Sequence, residues 1–237
     1  MKALVLAIQF LTRLPLPAIA ASEGDFGRAI RWFPLVGAVI GLAIAGAGWL
    51  GALRDPALGA LLALAVWVAI TGGLHLDGLA DIADAAGAAH SDPARLRAVL
   101  ADPHIGSFGT IAIGLQLMAK LVLLFLTLQL GHTAALALVP VLARIGPLAW
   151  ARFLPPLHEG LGTLFRQGGT VPVLLGWTIV WAIAASVIAP ALLAAIPALL
   201  LWPLRLRARI GGISGDGHGA GIELVETAAL LALVLAR

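Results

Sequence analysis

Seven long apolar runs constrain this chain more than any other feature of its sequence. A helix needs about 20 mostly apolar residues to cross a bilayer. Such runs occur at residues 35–53, 57–74, 108–130, 133–150, 171–189, 191–204 and 220–236, and the sixth, which is short, could be a broken or tilted span. The fifth and sixth are divided at Pro190, because proline interrupts the hydrogen-bond ladder of a helix. The sequence therefore predicts an all-α, polytopic membrane bundle of about seven helices (six to eight), forming one domain over residues 1–237.

Composition agrees with this prediction and excludes other classes. The chain is 61% hydrophobic and 11% charged, against about 25% charged residues in soluble domains, so a soluble enzyme is excluded. It has no cysteine, which excludes disulfides, thiolate catalysis and cysteine-ligated metals. Arg13, Pro15 and Pro17 interrupt the signal-peptide-like start, so we expect a retained short helix that lies on the membrane or re-enters it.

The basic residues predict the orientation of the bundle. With the N-terminus in the cytoplasm, twelve of the fifteen lysines and arginines fall on the inner side: Lys2, Arg13, Arg28, Arg31, Arg95, Arg97, Arg144, Arg152, Arg166, Arg205, Arg207 and Arg209. This bias sets membrane orientation, so the net charge of +3 does not indicate a nucleic-acid partner. Nearly all acidic residues and histidines share that side. We therefore expect a bacterial inner-membrane protein with its active site facing the cytoplasm.

The segment TGGLHLDGLADIADAAGAAH, which starts at Thr71, contains the richest candidate chemistry. Spacings of four and three place Asp77, Asp81 and Asp84 on one face of a helix. Three like charges repel one another, and a divalent cation relieves that repulsion. All-oxygen ligation suits Mg²⁺ or Mn²⁺. The alternative is a solvated acidic helix, but carboxylates at membrane depth usually mark function.

The turn from Asp102 to Gly109 is the next candidate. Asp102 could complete a metal shell, and His104 could move a proton or bind phosphate. Ser107 could cap the following helix, whose N-terminal amides favour an anion. A simple helix-capping turn is the alternative.

Two cations lie within apolar runs, Lys120 and Arg144. The cost of inserting charge into lipid predicts that both face the bundle interior. We expect their counter-charges to be the substrate, Asp102 and the carboxylates at Asp77–Asp84. Arg166 follows a loop with Glu159, and arginine forks match phosphate oxygens. The alternative is that Arg166 binds no phosphate and only sets membrane orientation through the positive-inside effect.

The loop at residues 211–220 is dense in glycine and lacks the ending of a Walker loop. We expect a flexible turn that presents Asp216 and His218 just before the last span. Glu223 and Glu226 follow on that span, three residues apart. They could belong to the site or only favour the helix dipole.

Taken together, these segments resemble the cobalamin synthase family, the adenosylcobinamide-GDP ribazoletransferases. The matching segments run nearly end to end: FLTRLPLP at Phe10–Pro17, FPLVG at Phe33–Gly37, TGGLHLDGLAD at Thr71–Asp81 with Asp84, the Asp102–Gly109 turn, Lys120, Arg144, EGLG at Glu159–Gly162, and Gly211–Glu226. Their order and spacing make the resemblance specific.

The resemblance implies a phosphotransferase-type reaction in a late step of cobalamin synthesis. A ribose hydroxyl of α-ribazole, or of its 5′-phosphate, would attack the cobinamide-side phosphorus of adenosylcobinamide-GDP and expel GMP. It implies Mg²⁺ on Asp77, Asp81 and Asp84, with Asp84, Asp102 or His104 as general base. Substrate-binding residues would be His75, Lys120, Arg144, Glu159, Arg166 and Asp216. The sequence is compatible with a homo-oligomer in the bilayer.

Two other classes remain open at this point. A CDP-alcohol phosphotransferase of lipid synthesis uses a similar acidic helix, but its arginine after the Asp-Gly pair is absent here. A proton-coupled transporter would distribute carboxylates through the membrane depth and on both sides, whereas this array lies on one side.

Overall fold

The computed structural model describes residues 1–88, 96, 99–100, 104–157 and 161–236. Its α-helices, which we number in chain order, are α1 Lys2–Leu11, α2 Glu23–Ala29, α3 Phe33–Ala52, α4 Pro56–Thr71, α5 Leu74–Ala88, α6 Ser107–Gln129, α7 Val139–Phe153, α8 Leu161–Gly168, α9 Val171–Ile188, α10 Ile196–Ile210 and α11 Gly215–Leu235. Short 3-10 helices cover Ile30–Trp32, Thr133–Ala137 and Pro190–Ala195. Within these ranges, β-type pairing is limited to one bridge between Pro156 and Ile213. The all-α prediction is confirmed.

Among the described residues, six helical segments are long and apolar enough to cross a membrane. They are Glu23–Ala52, Ser107–Gln129, Thr133–Phe153, Val171–Ile188, Pro190–Ile210 and Gly215–Leu235. Helices α4 and α5 meet at an angle of 84° and make a seventh span when the bent pair is counted as one. The predicted multi-span bundle of six to eight helices is confirmed. Helix α1, with ten residues, is too short to span the bilayer.

Local sequence signals explain where several spans begin. Pro34, Pro56 and Pro140 lie in the first turns of α3, α4 and α7, where the missing N–H of proline has no intrahelical partner to lose. The side chain of Asp55 accepts a hydrogen bond from the Ala57 N–H at 2.7 Å and caps α4. Ser214 caps α11 in the same way, by accepting from the Gly217 N–H at 3.0 Å.

Helices α7 and α11 form the interior of the bundle. In the span that contains α7, 83% of an 18-residue apolar stretch is buried. The buried share of such a stretch is 61% in α11 and only 11% in α9. Helix α11 packs against α5, α6 and α7. Polar side chains on α7 and α11 therefore face protein, whereas α9 presents its side chains to lipid.

Candidate active site

A sharp corner between α4 and α5 positions the acidic segment. Gly72 and Gly73 both adopt positive φ, +63° and +72°, a region that residues with a Cβ rarely occupy. The Arg13 N–H donates to the Ile70 carbonyl at 2.8 Å, which ties the end of α1 to this corner. Because the chain turns here, α5 leaves the direction of α4 and carries its aspartates away from that span.

The three aspartates of α5 have different surroundings. Asp77 is exposed, Asp81 is half-buried and Asp84 is buried. Both oxygens of Asp84 accept backbone hydrogen bonds, Oδ2 from the Gly106 N–H at 2.7 Å and Oδ1 from the Gly109 N–H at 2.9 Å. A Cβ at either glycine would collide with this carboxylate. Asp84 therefore caps α6 from a neighbouring helix.

This cap corrects the expectation for Ser107. Ser107 is the first residue of α6, and the N-cap residue, Gly106, offers no side chain to the helix. The predicted preference of these amides for an anion is met by the carboxylate of Asp84, which a helix N-terminus stabilises.

The first turn of α11 brings a fourth carboxylate to the aspartates of α5. A Cβ on Gly78 would lie 2.9 Å from the backbone of Asp216, so only glycine permits this approach. The charge of Asp81 is repelled by those of Asp216, Asp77 and Asp84. The carboxylates of the two helices therefore form one electrostatic cluster.

The glycine-dense segment before the last span was predicted wrongly as a flexible turn. Helix α11 begins at Gly215 rather than near Ala220, so Asp216 and His218 lie in its first turn. The cap from Ser214 starts the helix, and the close contact at Gly78 holds it against α5. His218 is buried and stacks on Trp150 with ring centroids 6.1 Å apart.

Of the remaining predicted site residues, two are exposed and two lie outside the described residues. His104 is exposed just before α6, and Arg166 is exposed on α8. Asp102 and Glu159 lie outside the described residues.

Lys120 and Arg144 face the interior, and their charge partners lie on α11 rather than among the carboxylates expected at Asp77–Asp84. Lys120 Nζ lies 2.7 Å from Glu223 Oε2 and 2.5 Å from Glu226 Oε2. Arg144 Nη1 pairs with Glu226 Oε1. All four side chains are at most 5% exposed. The acids come from α11, which packs between α6 and α7, rather than from α5.

Neutral groups extend this buried network at both ends. Gln116 Nε2 donates to Glu223 Oε2 at 2.7 Å and to Thr227 Oγ1 at 2.8 Å. Arg144 Nη2 lies 3.3 Å from His75 Nδ1. The two cations and two carboxylates balance, so Lys120 and Arg144 hold α6, α7 and α11 together.

A cavity of about 140 Å³ lies beside this network. Its lining comes from six helices: Phe10, Leu11, Phe33, Leu74, His75, Asp77, Gly78, Pro147, Phe165, Gly215, Asp216, His218, Gly219 and Ile222. His75, Asp77 and Asp216 are residues that the sequence singled out. The phenylalanines were missed, because they come from segments far apart in sequence.

A larger groove of about 620 Å³ lies near the N-terminus. It is lined by Met1, Lys2, Ala3, Asp25, Arg28, Arg31, Trp32, Val173 and Trp177. None of the predicted site residues contributes to it. The smaller cavity, which adjoins the carboxylates, is therefore the candidate active site.

Comparisons with known proteins cover the whole chain. Residues 3–234 match the family model described as cobalamin-5-phosphate synthase. A curated adenosylcobinamide-GDP ribazoletransferase of Novosphingobium aromaticivorans is 56% identical over 99% of this chain and 97% of its own length. Proteins of that name from Thiobacillus denitrificans and Ectopseudomonas mendocina are 51% and 40% identical, over 100% and 97% of this chain and 98% and 97% of their own lengths. No solved structure matches.

These matches confirm the resemblance seen in the motifs and favour it over a lipid phosphotransferase or a transporter. The chain therefore belongs to the cobalamin-5-phosphate synthase family, and with it to the transferases of cobalamin synthesis.

Proposed function

We propose that this protein transfers the adenosylcobinamide-phosphate group of adenosylcobinamide-GDP to α-ribazole or its 5′-phosphate. The observation that carries the proposal is the end-to-end similarity to relatives named for this reaction. A cavity bordered by clustered carboxylates, Asp77 and Asp216, supplies a site of suitable chemistry. The products are GMP and adenosylcobalamin or its 5′-phosphate.

The reaction is a displacement at phosphorus. A ribose hydroxyl oxygen forms a bond to the cobinamide-side phosphorus, the bond from that phosphorus to the oxygen of GMP breaks, and the hydroxyl proton passes to a base. Such transfers depend mainly on positioning and charge stabilisation. Asp216 lines the cavity and is the carboxylate placed to accept this proton. Asp102 and the exposed His104 are the alternative acceptors.

Asp84 is less suited to act as base or metal ligand. Both of its oxygens already accept backbone N–H groups of α6 and are engaged in capping that helix. We therefore assign Asp84 to positioning. Its charge holds the N-terminus of α6 against the acidic face of α5.

The carboxylates of α5 fit a Mg²⁺ ion that is held by fewer protein ligands than the three that the sequence predicted. Among the residues that the structure describes, no group of three or more His, Asp or Glu side chains is arranged to hold a metal. Mg²⁺ usually binds one or two carboxylates together with substrate phosphates. Asp77 and Asp81 lie four residues apart on one helix face, and their repulsion favours a cation. Bound there, Mg²⁺ would neutralise diphosphate charge.

The cation for the phosphates is Arg166 in this proposal. It is exposed on α8 and directly follows Phe165, which lines the cavity. A guanidinium can bind two phosphate oxygens at once. Lys120 and Arg144 are excluded from this role by their buried partners on α11.

The inner side of a bacterial cytoplasmic membrane is the proposed location of the site. The inward excess of lysine and arginine supports it. The first turn of α11 packs against α5 at Gly78, which brings Asp216 to the aspartates of α5 and gives polar substrates a single entrance.

The test is turnover by the detergent-purified chain with adenosylcobinamide-GDP and α-ribazole, with and without Mg²⁺, followed by corrinoid chromatography. We expect an adenosylcobalamin peak only with Mg²⁺. Asp77→Asn and Asp81→Asn should each raise the Mg²⁺ concentration needed for half-maximal rate. Glu23→Gln, an exposed change on α2, is the control. Absence of product from the folded, unchanged chain would refute the function, and unchanged metal dependence in both variants would refute the metal ligands.

A further inference from the structure

The inner wall of the cavity is aromatic. Phe10 and Phe33 stack with centroids 5.9 Å apart and planes 18° apart. Phe165 meets both rings edge-on, at 5.7 Å from Phe10 and 5.4 Å from Phe33. The three rings come from α1, α3 and α8 and contact one another, and such a cluster can hold an aromatic ligand through stacked or edge-on contacts.

Two buried histidines, His75 and His218, line this cavity and have unused hydrogen-bonding capacity. His75 Nε2 and both ring nitrogens of His218 are buried and have no hydrogen-bond partner among the described residues. His75 is 4% exposed and His218 9%. Buried polar atoms without partners are costly and rare. A polar group of a ligand would satisfy them.

The tautomer of His75 follows from its neighbour. Arginine has only donors, so Arg144 Nη2, 3.3 Å away, requires a lone pair on His75 Nδ1. The proton of the neutral ring then lies on Nε2. His75 therefore offers one N–H donor to the cavity and requires an acceptor from the ligand.

The size of the cavity limits what enters it. Pockets that enclose a drug-sized molecule measure about 300–1,000 Å³, whereas an apolar cavity of about 150 Å³ binds benzene. At about 140 Å³ this cavity has room for about one aromatic ring, so a bicyclic base inserts one of its rings and the rest of a larger substrate stays outside. Asp77 is exposed and Asp216 half-buried, so these two acids lie at the mouth of the cavity. The two buried histidines lie at its inner end.

We propose that this cavity binds the aromatic base of the acceptor nucleoside, with the free ring nitrogen of its benzimidazole accepting the His75 Nε2–H. This inference rests on the proposed function and adds the acceptor subsite to it. The phenylalanine wall packs against the base. The ribose then lies at the mouth, where Asp216 can receive the proton of the attacking hydroxyl.

The test compares two ligands that differ in one ring atom. α-Ribazole and the corresponding indole nucleoside, in which C–H replaces the free ring nitrogen, are titrated calorimetrically into the full chain without adenosylcobinamide-GDP. One neutral hydrogen bond predicts that the indole binds roughly three- to tenfold more weakly. In His75→Ala the two ligands should bind equally. The comparison in the unchanged chain needs no variant to fold.

The aromatic wall is tested by a matched pair of substitutions. Phe165→Ala should weaken α-ribazole binding about tenfold and raise its KM, with the KM of adenosylcobinamide-GDP unchanged. Phe26→Ala is the control, because Phe26 contacts Phe10 and Phe165, with centroids 5.8 and 6.2 Å away, without lining the cavity. Equal binding of the two nucleosides to the unchanged chain would overturn the subsite, as would equal effects of the two substitutions. In either case turnover by the unchanged chain would leave the proposed function standing.

Discussion

Neutralising Glu226 should destabilise the bundle more than any other single loss of a carboxylate. Its carboxylate is 0% exposed and serves two cations, with Lys120 Nζ at 2.5 Å and Arg144 Nη1 on the other oxygen. Glu226→Gln preserves the shape but leaves the buried network with two cations and one anion. Removing one partner of a buried ion pair costs about 3–5 kcal/mol, because the remaining charge is uncompensated.

That cost can be read as a shift in Tm. In a chain of this size each 1 kcal/mol shifts Tm by about 2–4 °C, so the expected drop is about 6–20 °C. Thermal unfolding of the detergent-solubilised protein can be followed by tryptophan fluorescence. Trp67 is a direct reporter, since Lys120 Nζ lies 4.2 Å from its ring centroid.

A second variant separates charge balance from loss of packing. Glu226→Gln combined with Lys120→Met returns the network to one cation and one anion, and should recover at least half of the lost Tm. Glu23→Gln makes the same chemical change on the exposed surface of α2 and should leave Tm nearly unchanged. A Glu226→Gln protein as stable as that control would refute the buried network. A double variant that loses the sum of the single effects would refute charge balance as its basis.

Three further predictions follow from the same packing. Gly78→Ala should push α5 away from α11 and abolish turnover, whereas Gly114→Ala, where the added Cβ meets open space, should leave turnover intact; equal activity of the two variants would contradict the close approach. Asp84→Ala should cost about 1 kcal/mol of stability through loss of the α6 cap, and Asp84→Asn, which keeps an acceptor oxygen, should cost less. Equal Tm values for the unchanged chain and both variants would contradict the cap. Single cysteines at the exposed positions Ala86 and Gly211 should react with impermeant thiol reagents only from the cytoplasmic side, and labelling from the periplasm alone would reverse the topology.

The fold was predictable because its main signal is local. Each apolar run can be recognised as a helix from its own residues, without knowing which helices pack against it. The structure has a helix in every one of these runs. The start of α11 was missed because hydropathy becomes continuous only after Ala220. The helix starts five residues earlier, where Ser214 caps it and glycine packing, not apolar character, holds its first turn.

The site was only partly predictable because it depends on which helices are neighbours. The spacing of the aspartates correctly indicated a common face on α5, but not that Asp84 would cap α6. The partners of Lys120 could have been suggested by charge balance, since Glu223 and Glu226 are carboxylates on another apolar span. The aromatic wall has no such signal, because Phe10 and Phe165 are brought together only by tertiary packing.

The most direct test of the central claim follows the attacking oxygen. α-Ribazole labelled with ¹⁸O in its ribose hydroxyls is incubated with the purified chain, Mg²⁺ and adenosylcobinamide-GDP, and both products are analysed by mass spectrometry. Attack at the cobinamide-side phosphorus predicts that the label appears in adenosylcobalamin, with unlabelled GMP formed in equimolar amount. Labelled GMP joined to ribazole, with release of adenosylcobinamide phosphate, would contradict it.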